Sequence, residues 1–199
     1  MMFNKEYGLE RAVLLGGKDL TRRDGSKVIL QYRIGLDVRY DKDGKRESLI
    51  DYAIRKSPFK VGDVVAIAQS YKDAGYEPGR NIPLKERGGL QVRADSLAGW
   101  SNKMFVRPEL MPHRIEITGI RFEQLQCISD EDCFREGIYS RTDVIDTQMR
   151  DVVRYQYANS PLMFKTPREA FASLIDELSG RGTWERNGFV YVYSFKLKD

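Results

Sequence analysis

Residues 14–26, "LLGGKDLTRRDGS", place a lysine, a threonine and two arginines close behind a pair of glycines. Lys18 stands three positions before Thr21, and Arg22 and Arg23 follow at once. A lysine after glycines could cradle a phosphate. The phosphate-binding loop also requires a glycine five positions before its Gly-Lys pair and a hydroxyl residue after it. Ala12 and an aspartate occupy those positions, so this chemistry is excluded.

Two interpretations of the segment remain open at this point, a solvated turn and a functional site. A dinucleotide-binding fingerprint fails, because no strand precedes a G-x-G-x-x-G pattern. Glycines end helices and basic side chains favour helix C-termini, so a solvated turn explains the local pattern without any function. Residues elsewhere in the chain must decide between a turn and a site.

A second candidate lies in "GWSNKMFVRPELMPHR", over residues 99–114. Trp100 could stack on a nucleobase, and the cations Lys103, Arg107 and Arg114 could lie near phosphates, as on surfaces that bind single-stranded nucleic acid. The alternative is that Trp100 covers the hydrophobic core.

Metal chemistry has little support in the sequence. Cys127, Cys133 and the single histidine, His113, do not have the spacing of a zinc site or of a disulfide framework. We therefore expect reduced thiols, no metal and no cofactor. The charged N-terminus is not a signal peptide and no apolar run reaches membrane-spanning length, which predicts a soluble, cytoplasmic protein without a membrane partner.

The composition indicates a globular protein with a sizeable core. The chain has 199 residues, of which 41% are hydrophobic, and a formal net charge of +4. This length suits one domain with insertions, and the weak positive charge permits a nucleic-acid partner without requiring one. No repeat or low-complexity segment is present. Composition does not predict the oligomeric state.

Helix signals surround the candidate residues. A short apolar-periodic piece over residues 10–15 ends at two glycines, and a second helix is predicted between Ser129 and Gly137. The clearest helix has Thr166 as its N-cap, Pro167 at its first position and Glu169 closing a capping box.

Strand signals occupy much of the remaining chain. The Val-, Ile- and Tyr-rich residues 27–54 predict a long hairpin with "DKDG" as its turn. Apolar alternation predicts strands over Val64–Ala68, Arg114–Gln126 and Phe189–Leu197, and we expect these three to share one sheet.

Strands joined by long irregular segments predict an α+β fold with a small mixed barrel rather than a βαβ array. We expect one domain over residues 1–199, with insertions near 28–54, 72–99 and 139–165. The last two are expected to be irregular.

Four segments in this order resemble the ASCH family: "AVLLGGKDLTRR", "FKVGDVVAI", "HRIEITGIRFEQLQCISDEDCFREGI" and "SGRGTWERNGFVYVYSF". The resemblance covers about two-thirds of the chain. It implies a PUA-like β-barrel with short flanking helices. The ending G-x-W-x-x-N-x-x-V-x-V is similar to that of longer, often phage-associated members.

The resemblance also implies a cleft at the mouth of the barrel and a link to RNA and modified nucleobases. One branch of the family contains small amidohydrolases that remove the acetyl group from N4-acetylcytidine. On their pattern, Lys18 matches the lysine, Thr21 the threonine and Glu136 the glutamate, while Arg23 matches a common basic residue. The three insertions, and Asp19 where a hydroxyl residue is common, depart from that branch.

Such a triad is chemically reasonable. Thr21 could attack an amide carbonyl if a neutral Lys18 removed its proton. A lysine has an ordinary pKa of roughly 10.4, and lowering it by three units requires about 4 kcal/mol. Burial and the neighbouring arginines push in that direction, whereas an ionised Glu136 opposes it.

The sequence therefore leads to three hypotheses. The first is recognition of RNA or a modified nucleobase in a basic cleft with Lys18, Thr21, Arg23 and Glu136. The second is an amidohydrolase acting on N4-acetylcytidine or a related small amide. The third is a phage or mobile-element accessory protein whose insertions bind a protein partner, and it predicts apolar patches there. The residues expected to bind nucleic acid or ligand are Arg22, Arg23, Trp100, Lys103, Arg107 and Arg114.

Overall fold

A computed structural model describes residues 1–77, 98–144 and 151–198 of the chain. Its helices are Leu9–Leu14 (α1), Ser26–Arg33 (α2), Leu49–Lys56 (α3), Asp130–Arg135 (α4), Pro167–Ser179 (α5) and Thr183–Arg186 (α6). Its strands are Leu20–Asp24 (β1), Val64–Ala66 (β2), Arg114–Gln124 (β3), Tyr139–Val144 (β4), Asp151–Gln156 (β5) and Phe189–Lys198 (β6). Within these residues, no helix is long and apolar enough to cross a membrane.

The chain divides into two compact units. The small unit contains the described residues of Met1–Phe3, Val64–Glu116 and Leu197–Asp199. The large unit contains those of Asn4–Asp63 and Ile117–Lys196. The prediction that the whole chain is one domain stays a prediction.

The main sheet has four strands in the order β1-β6-β3-β2, and β4 and β5 form a separate two-stranded sheet. The predicted strands that became β2, β3 and β6 do share one sheet, which confirms that expectation. The described strands do not close into a barrel, and the fold is α+β with an antiparallel sheet. The PUA-like barrel stays a prediction.

Strand β1 lies at an edge of the main sheet and pairs with β6, with Thr21 opposite Tyr193. Just before the strand, the Asp19 N–H donates to the carbonyl of Arg135 over 3.2 Å. The end of α4 therefore runs beside the outer edge of β1. This arrangement brings together two segments that are more than 110 positions apart in the sequence.

Two helices follow their predicted signals closely. The hydroxyl of Ser129 caps α4 by accepting from the Asp132 N–H over 3.1 Å, and Gly137 follows the helix with a φ of 103°. Thr166 and Glu169 form the predicted capping box of α5, and Pro167 occupies the first turn. These signals are local, so the sequence alone identifies them.

The hairpin predicted for residues 27–54 is wrong. The segment contains most of α2 and α3, and only a single bridge, Tyr40 with Arg46, flanks the expected turn. In α3, Tyr52 and Ala53 are fully buried, and the Ser48 hydroxyl caps the helix. Burial of this helical stripe overrides the strand propensity of Val, Ile and Tyr, which is a weak preference.

The segment 139–165 was expected to be irregular, and this is also corrected. It contains the antiparallel pair β4–β5, with Tyr139 opposite Gln156. Polar and apolar residues do not alternate clearly in this segment, so its sequence does not predict the two strands. The third predicted insertion, 72–99, falls mostly on residues 78–97, which lie outside the described residues.

Candidate functional site

Lys18 and Glu136 meet inside the large unit. The Lys18 Nζ donates to Glu136 Oε2 over 2.5 Å and to the Glu136 carbonyl over 2.8 Å. The two side chains are only 2% and 7% exposed. A lysine ammonium has three N–H donors, so this one residue takes two of them. Glu136 therefore fixes both the position and the orientation of the amine.

Arg22 is the centre of the same buried cluster. Its guanidinium donates to Glu136 Oε1 over 3.0 Å, to Glu123 Oε1 over 3.0 Å and to Asp132 Oδ2 over 3.1 Å. The side chain is 1% exposed and lies over the ring of Phe171, 5.6 Å from its centre. Asp132 also accepts from the half-exposed Arg121. Three carboxylates therefore bind this arginine: Asp132 from α4, Glu136 directly after α4 and Glu123 from β3.

The local structure explains this convergence. Asp132 and Glu136 are four positions apart, so they lie on one face at the end of α4. A Cβ added at Gly137 would come within 3.3 Å of Leu9 Cδ2 and 3.9 Å of Lys18 Cδ. With its φ of 103°, this position favours glycine, which lets the backbone pass close to Lys18.

Burial controls the electrostatics of the cluster. Loss of water is the largest influence on Lys18 and lowers its pKa, with help from Arg23 and Arg22, although Glu136 opposes the shift. Burial also lowers the pKa of Arg23, and Glu136 again opposes. For Asp132, burial acts to raise the pKa, but the guanidinium groups of Arg121 and Arg22 together hold it below its usual value.

Thr21 is 5% exposed and lies in β1, directly before Arg22 in the sequence. Strand side chains alternate, so Thr21 and Arg23 share one face of β1 and Arg22 lies on the other. Glu136 lies at the strand edge and acts on Arg22 as well as Arg23. Among the described residues, no hydrogen bond joins Thr21 to Lys18 or Glu136.

The other predicted ligand-binding residues lie in the small unit. Trp100 packs against a cluster built on Tyr71 and Met111. The Lys103 amine donates to the Phe3 carbonyl over 2.8 Å. Arg107 is exposed, and Arg114 is half-buried in β3. All four residues belong to the small unit, whereas Lys18 and Thr21 belong to the large unit.

Two cations on which the RNA hypothesis relies are buried in the cluster. Lys18, predicted for the basic cleft, and Arg22, predicted to bind nucleic acid or ligand, are both buried and paired with carboxylates. A charge neutralised in this way cannot release counterions from a nucleic acid. Any basic surface must be built from other cations.

Sequence reasoning missed Asp132 and Glu123 and gave Arg22 a different role. A signal for Asp132 was present, because Asp132 and Glu136 stand at helical spacing in "SDEDCFREG". No such signal marks Glu123, which reaches Arg22 only through the pairing of distant strands. The described residues contain no group of three or more His, Cys, Asp or Glu side chains that could hold a metal ion.

Comparisons of the chain with family models, curated proteins and solved structures gave no match. The resemblance to the ASCH family therefore stays a prediction, and what it implies about activity is a proposal.

Proposed function

We propose that the protein is an amidohydrolase that removes an acyl group from N4-acetylcytidine or a related small amide. The observation that carries this proposal is the double hydrogen bond from the Lys18 amine to Glu136. A neutral amine has two N–H groups and one lone pair. Since Glu136 accepts both N–H groups, the lone pair is left to act as a base.

Burial supports the neutral form that this role requires. The pKa of Lys18 is lowered mainly by the loss of water around the amine. Glu136 opposes this shift, because its carboxylate stabilises the protonated lysine. The balance between these effects sets the pH at which the site would work.

The reaction would take two steps. As the Thr21 hydroxyl oxygen bonds to the amide carbon, its proton passes to the lone pair of Lys18. The C–N bond then breaks, and the amine leaving group receives that proton. Water attacks the resulting threonine ester, gives a proton to Lys18, and the carboxylic acid leaves as Thr21 regains its proton. Glu136 holds the amine in place throughout.

The test is hydrolysis of N4-acetylcytidine by the purified full chain. Thr21→Val should abolish turnover because it removes the nucleophile at almost unchanged volume, and Thr21→Ser should retain activity as the matched control. Glu136→Gln should reduce kcat less than Lys18→Ala, since the amide can still accept from the amine. The proposal fails if wild type releases no cytidine, or if Thr21→Val is as active as Thr21→Ser.

The pH dependence gives a second check on the role of Lys18. Only the neutral amine can accept a proton, so kcat/KM should rise with pH through the lowered pKa of Lys18 and then level off. A rate that falls over this range would exclude Lys18 as the base.

Binding of RNA or a modified nucleobase without turnover is the second candidate function. It is favoured by the near-complete burial of Lys18 and Glu136 and by the absence of a described hydrogen bond from Thr21 to either. On this alternative the cluster is structural, and ligand contacts come from more exposed residues. Binding of N4-acetylcytidine to wild type and Thr21→Val with equal affinity and no hydrolysis would support it.

A further inference from the structure

A separate cavity of about 570 Å³ lies in the large unit, against helix α1. Its other walls come from Gly137 and Tyr139, around the start of β4, and from Ala158 and Asn159, which follow β5. Lys18 is not among the lining residues. The volume lies within the range for small-molecule pockets, roughly 300–1,000 Å³. The space is therefore sufficient for a flat ring with a substituent.

Small residues on one face of α1 keep this space open. Gly8, Ala12 and Leu15 all line the cavity, and their spacing of four and three positions places them on the same side of the helix. Gly8 has a φ of 65°, and a Cβ there would lie 2.5 Å from the Cβ of Ala158. Glycine therefore lets the start of α1 touch the segment after β5, and Ala12, with only a methyl group, fills little of the cavity.

The lining is largely apolar and contains two tyrosine rings, Tyr7 and Tyr139. The Tyr7 hydroxyl donates to Glu177 Oε2 over 3.1 Å, and its ring meets the Tyr157 ring edge to face with centres 5.9 Å apart. These two contacts hold the Tyr7 ring in place. Tyr139 is 43% exposed, so part of its surface is open to a ligand. Aromatic rings in an apolar lining favour a flat ligand ring, which can stack on them or pack edge to face.

Asn159 supplies a polar group to the lining. Its Nδ2 donates to the Glu6 carbonyl over 2.5 Å, and its φ of 64° lies in the left-handed region that asparagine tolerates better than most residues. A carboxamide has two N–H donors and an acceptor oxygen, so one N–H and the oxygen are left for a ligand. A heteroaromatic ring whose edge carries both an acceptor and a donor matches this pair.

Charges of both signs lie along the cavity. Lys5 and Arg11 are exposed, Glu10 is only 6% exposed, and all three line the cavity. Glu177 adds a second carboxylate, at the Tyr7 hydroxyl. An ion of either sign would thus meet a like charge as well as an opposite one. The lining therefore favours an uncharged ligand over an anion or a cation.

We propose that this cavity binds an uncharged heteroaromatic ring with a hydrogen-bond donor and an acceptor on its edge, as in a nucleobase. The ring packs against the tyrosine and leucine side chains of the lining, and its edge pairs with the carboxamide of Asn159. The proposal does not rest on the amidohydrolase activity, because Lys18 does not line the cavity and binding needs no turnover.

The test is isothermal titration calorimetry of the full chain with adenosine, cytidine, adenosine monophosphate and benzyl alcohol. The two nucleosides are uncharged at neutral pH and carry the polar edge, the monophosphate adds an anion, and benzyl alcohol has a ring without that edge. At least one nucleoside should bind about tenfold or more tightly than benzyl alcohol, the effect of one hydrogen bond. Adenosine monophosphate should bind no more tightly than adenosine, because the lining does not favour an anion.

Variants locate the binding. Ala12→Trp fills the cavity and should weaken the better nucleoside at least about tenfold, whereas Ala98→Trp, which adds the same ring at an exposed alanine of the small unit, should not change it. Tyr139→Leu removes an aromatic ring from the lining and should weaken binding about threefold or more, and Tyr40→Leu, at an exposed tyrosine outside this lining, is its control. Thr21→Val should bind like wild type, because Thr21 does not line the cavity.

The proposal is wrong if no nucleoside binds wild type, if benzyl alcohol binds as tightly as the better nucleoside, or if adenosine monophosphate binds about tenfold more tightly than adenosine. It is also wrong if Ala12→Trp and Tyr139→Leu both bind like wild type, or if their controls lose as much. Loss of binding in Thr21→Val alone would place the nucleoside at the candidate active site instead. Thermal unfolding shows whether each variant is folded, and Tyr139→Leu decides alone if Ala12→Trp does not fold.

Discussion

At the scale of single residues, Arg22 binds three acidic side chains at the candidate site. It is almost fully buried and binds carboxylates of Glu136, Glu123 and Asp132. Removing one partner from a buried ionic cluster leaves charges that neither water nor a counter-ion stabilises. A neutral residue at this position would therefore leave the three carboxylates without the positive charge that stabilises them.

We expect Arg22→Gln to reduce the free energy of unfolding by about 3–5 kcal/mol, the range for breaking a buried ion pair. Urea denaturation monitored by circular dichroism measures the change. Arg121→Gln is the matched control, because Arg121 shares Asp132 but is 50% exposed, and its loss should change stability by less than about 1 kcal/mol. Equal losses in the two variants would contradict the central role of Arg22.

The two cysteines should differ sharply in reactivity. Cys127 is exposed, whereas Cys133 is buried, and burial raises the pKa of the Cys133 thiol to about 12. Only the thiolate reacts, so at pH 8 the folded protein should show one accessible thiol, and both should react after denaturation. A chromogenic disulfide reagent counts them.

Single-cysteine variants assign the reactive thiol. Cys127→Ser should remove the reaction of the folded protein, and Cys133→Ser should leave it unchanged. Rapid labelling of Cys133 in the folded chain would show that the end of α4 opens readily.

The sequence identified Lys18 and Glu136 as possible partners only through resemblance, and the structure brings these two together. The sequence could not show that Arg22 is buried, because alternation along β1 predicts one exposed face, whereas the neighbours Thr21 and Arg22 are both buried. The burial is decided by α4 and α5, which contribute Asp132 and Phe171 from distant parts of the chain.

At the scale of elements, the sequence predicts those helix ends that are stabilised by neighbouring residues. The cap of α5 needs only Thr166, Pro167 and Glu169, so its sequence is sufficient. The segment 28–54 needed information from the rest of the fold. Its helices bury Val28 and Tyr52, and the Tyr52 hydroxyl donates to the Leu36 carbonyl over 2.6 Å. None of these contacts can be read from strand propensity.

The cap of α5 gives a direct prediction. Thr166→Ala removes the hydroxyl that accepts from the Glu169 N–H, so the free energy of unfolding should fall by about 1 kcal/mol. Ser179→Ala, at the other end of the same helix, is the control and should have little effect. Chemical denaturation compares them, and indistinguishable midpoints would mean that tertiary packing alone holds the start of α5.

The helices α2 and α3 also leave apolar side chains in solvent. Leu30 of α2 and Ile34, the residue that follows the helix, are exposed, and so are Ile50 and Ile54, which lie one turn apart in α3. Apolar residues on the insertion are what the protein-binding hypothesis predicted. Nothing in the described residues identifies a partner, so this hypothesis has less support than the two that rest on the candidate site.

At the scale of the whole molecule, the distribution of charge limits how the protein could bind RNA. The net charge is only +4, and two of the cations expected at an interface, Lys18 and Arg22, are neutralised inside the large unit. Electrostatic attraction must then come from exposed cations. Arg107 is one of these, in the small unit where Trp100 also lies.

RNA binding, if it is a function of this chain, should therefore depend on Arg107. Affinity for single-stranded RNA falls with salt because each neutralised phosphate releases counterions, with a log–log slope of about −0.7 per phosphate. Arg107→Gln should make the slope shallower by about 0.7, while Arg39→Gln, an exposed arginine of the large unit, should leave it unchanged. Fluorescence anisotropy over a range of salt concentrations measures both slopes. A wild-type protein that binds no single-stranded RNA at low salt would exclude RNA recognition, and an equal change in the two variants would mean that no specific surface is used.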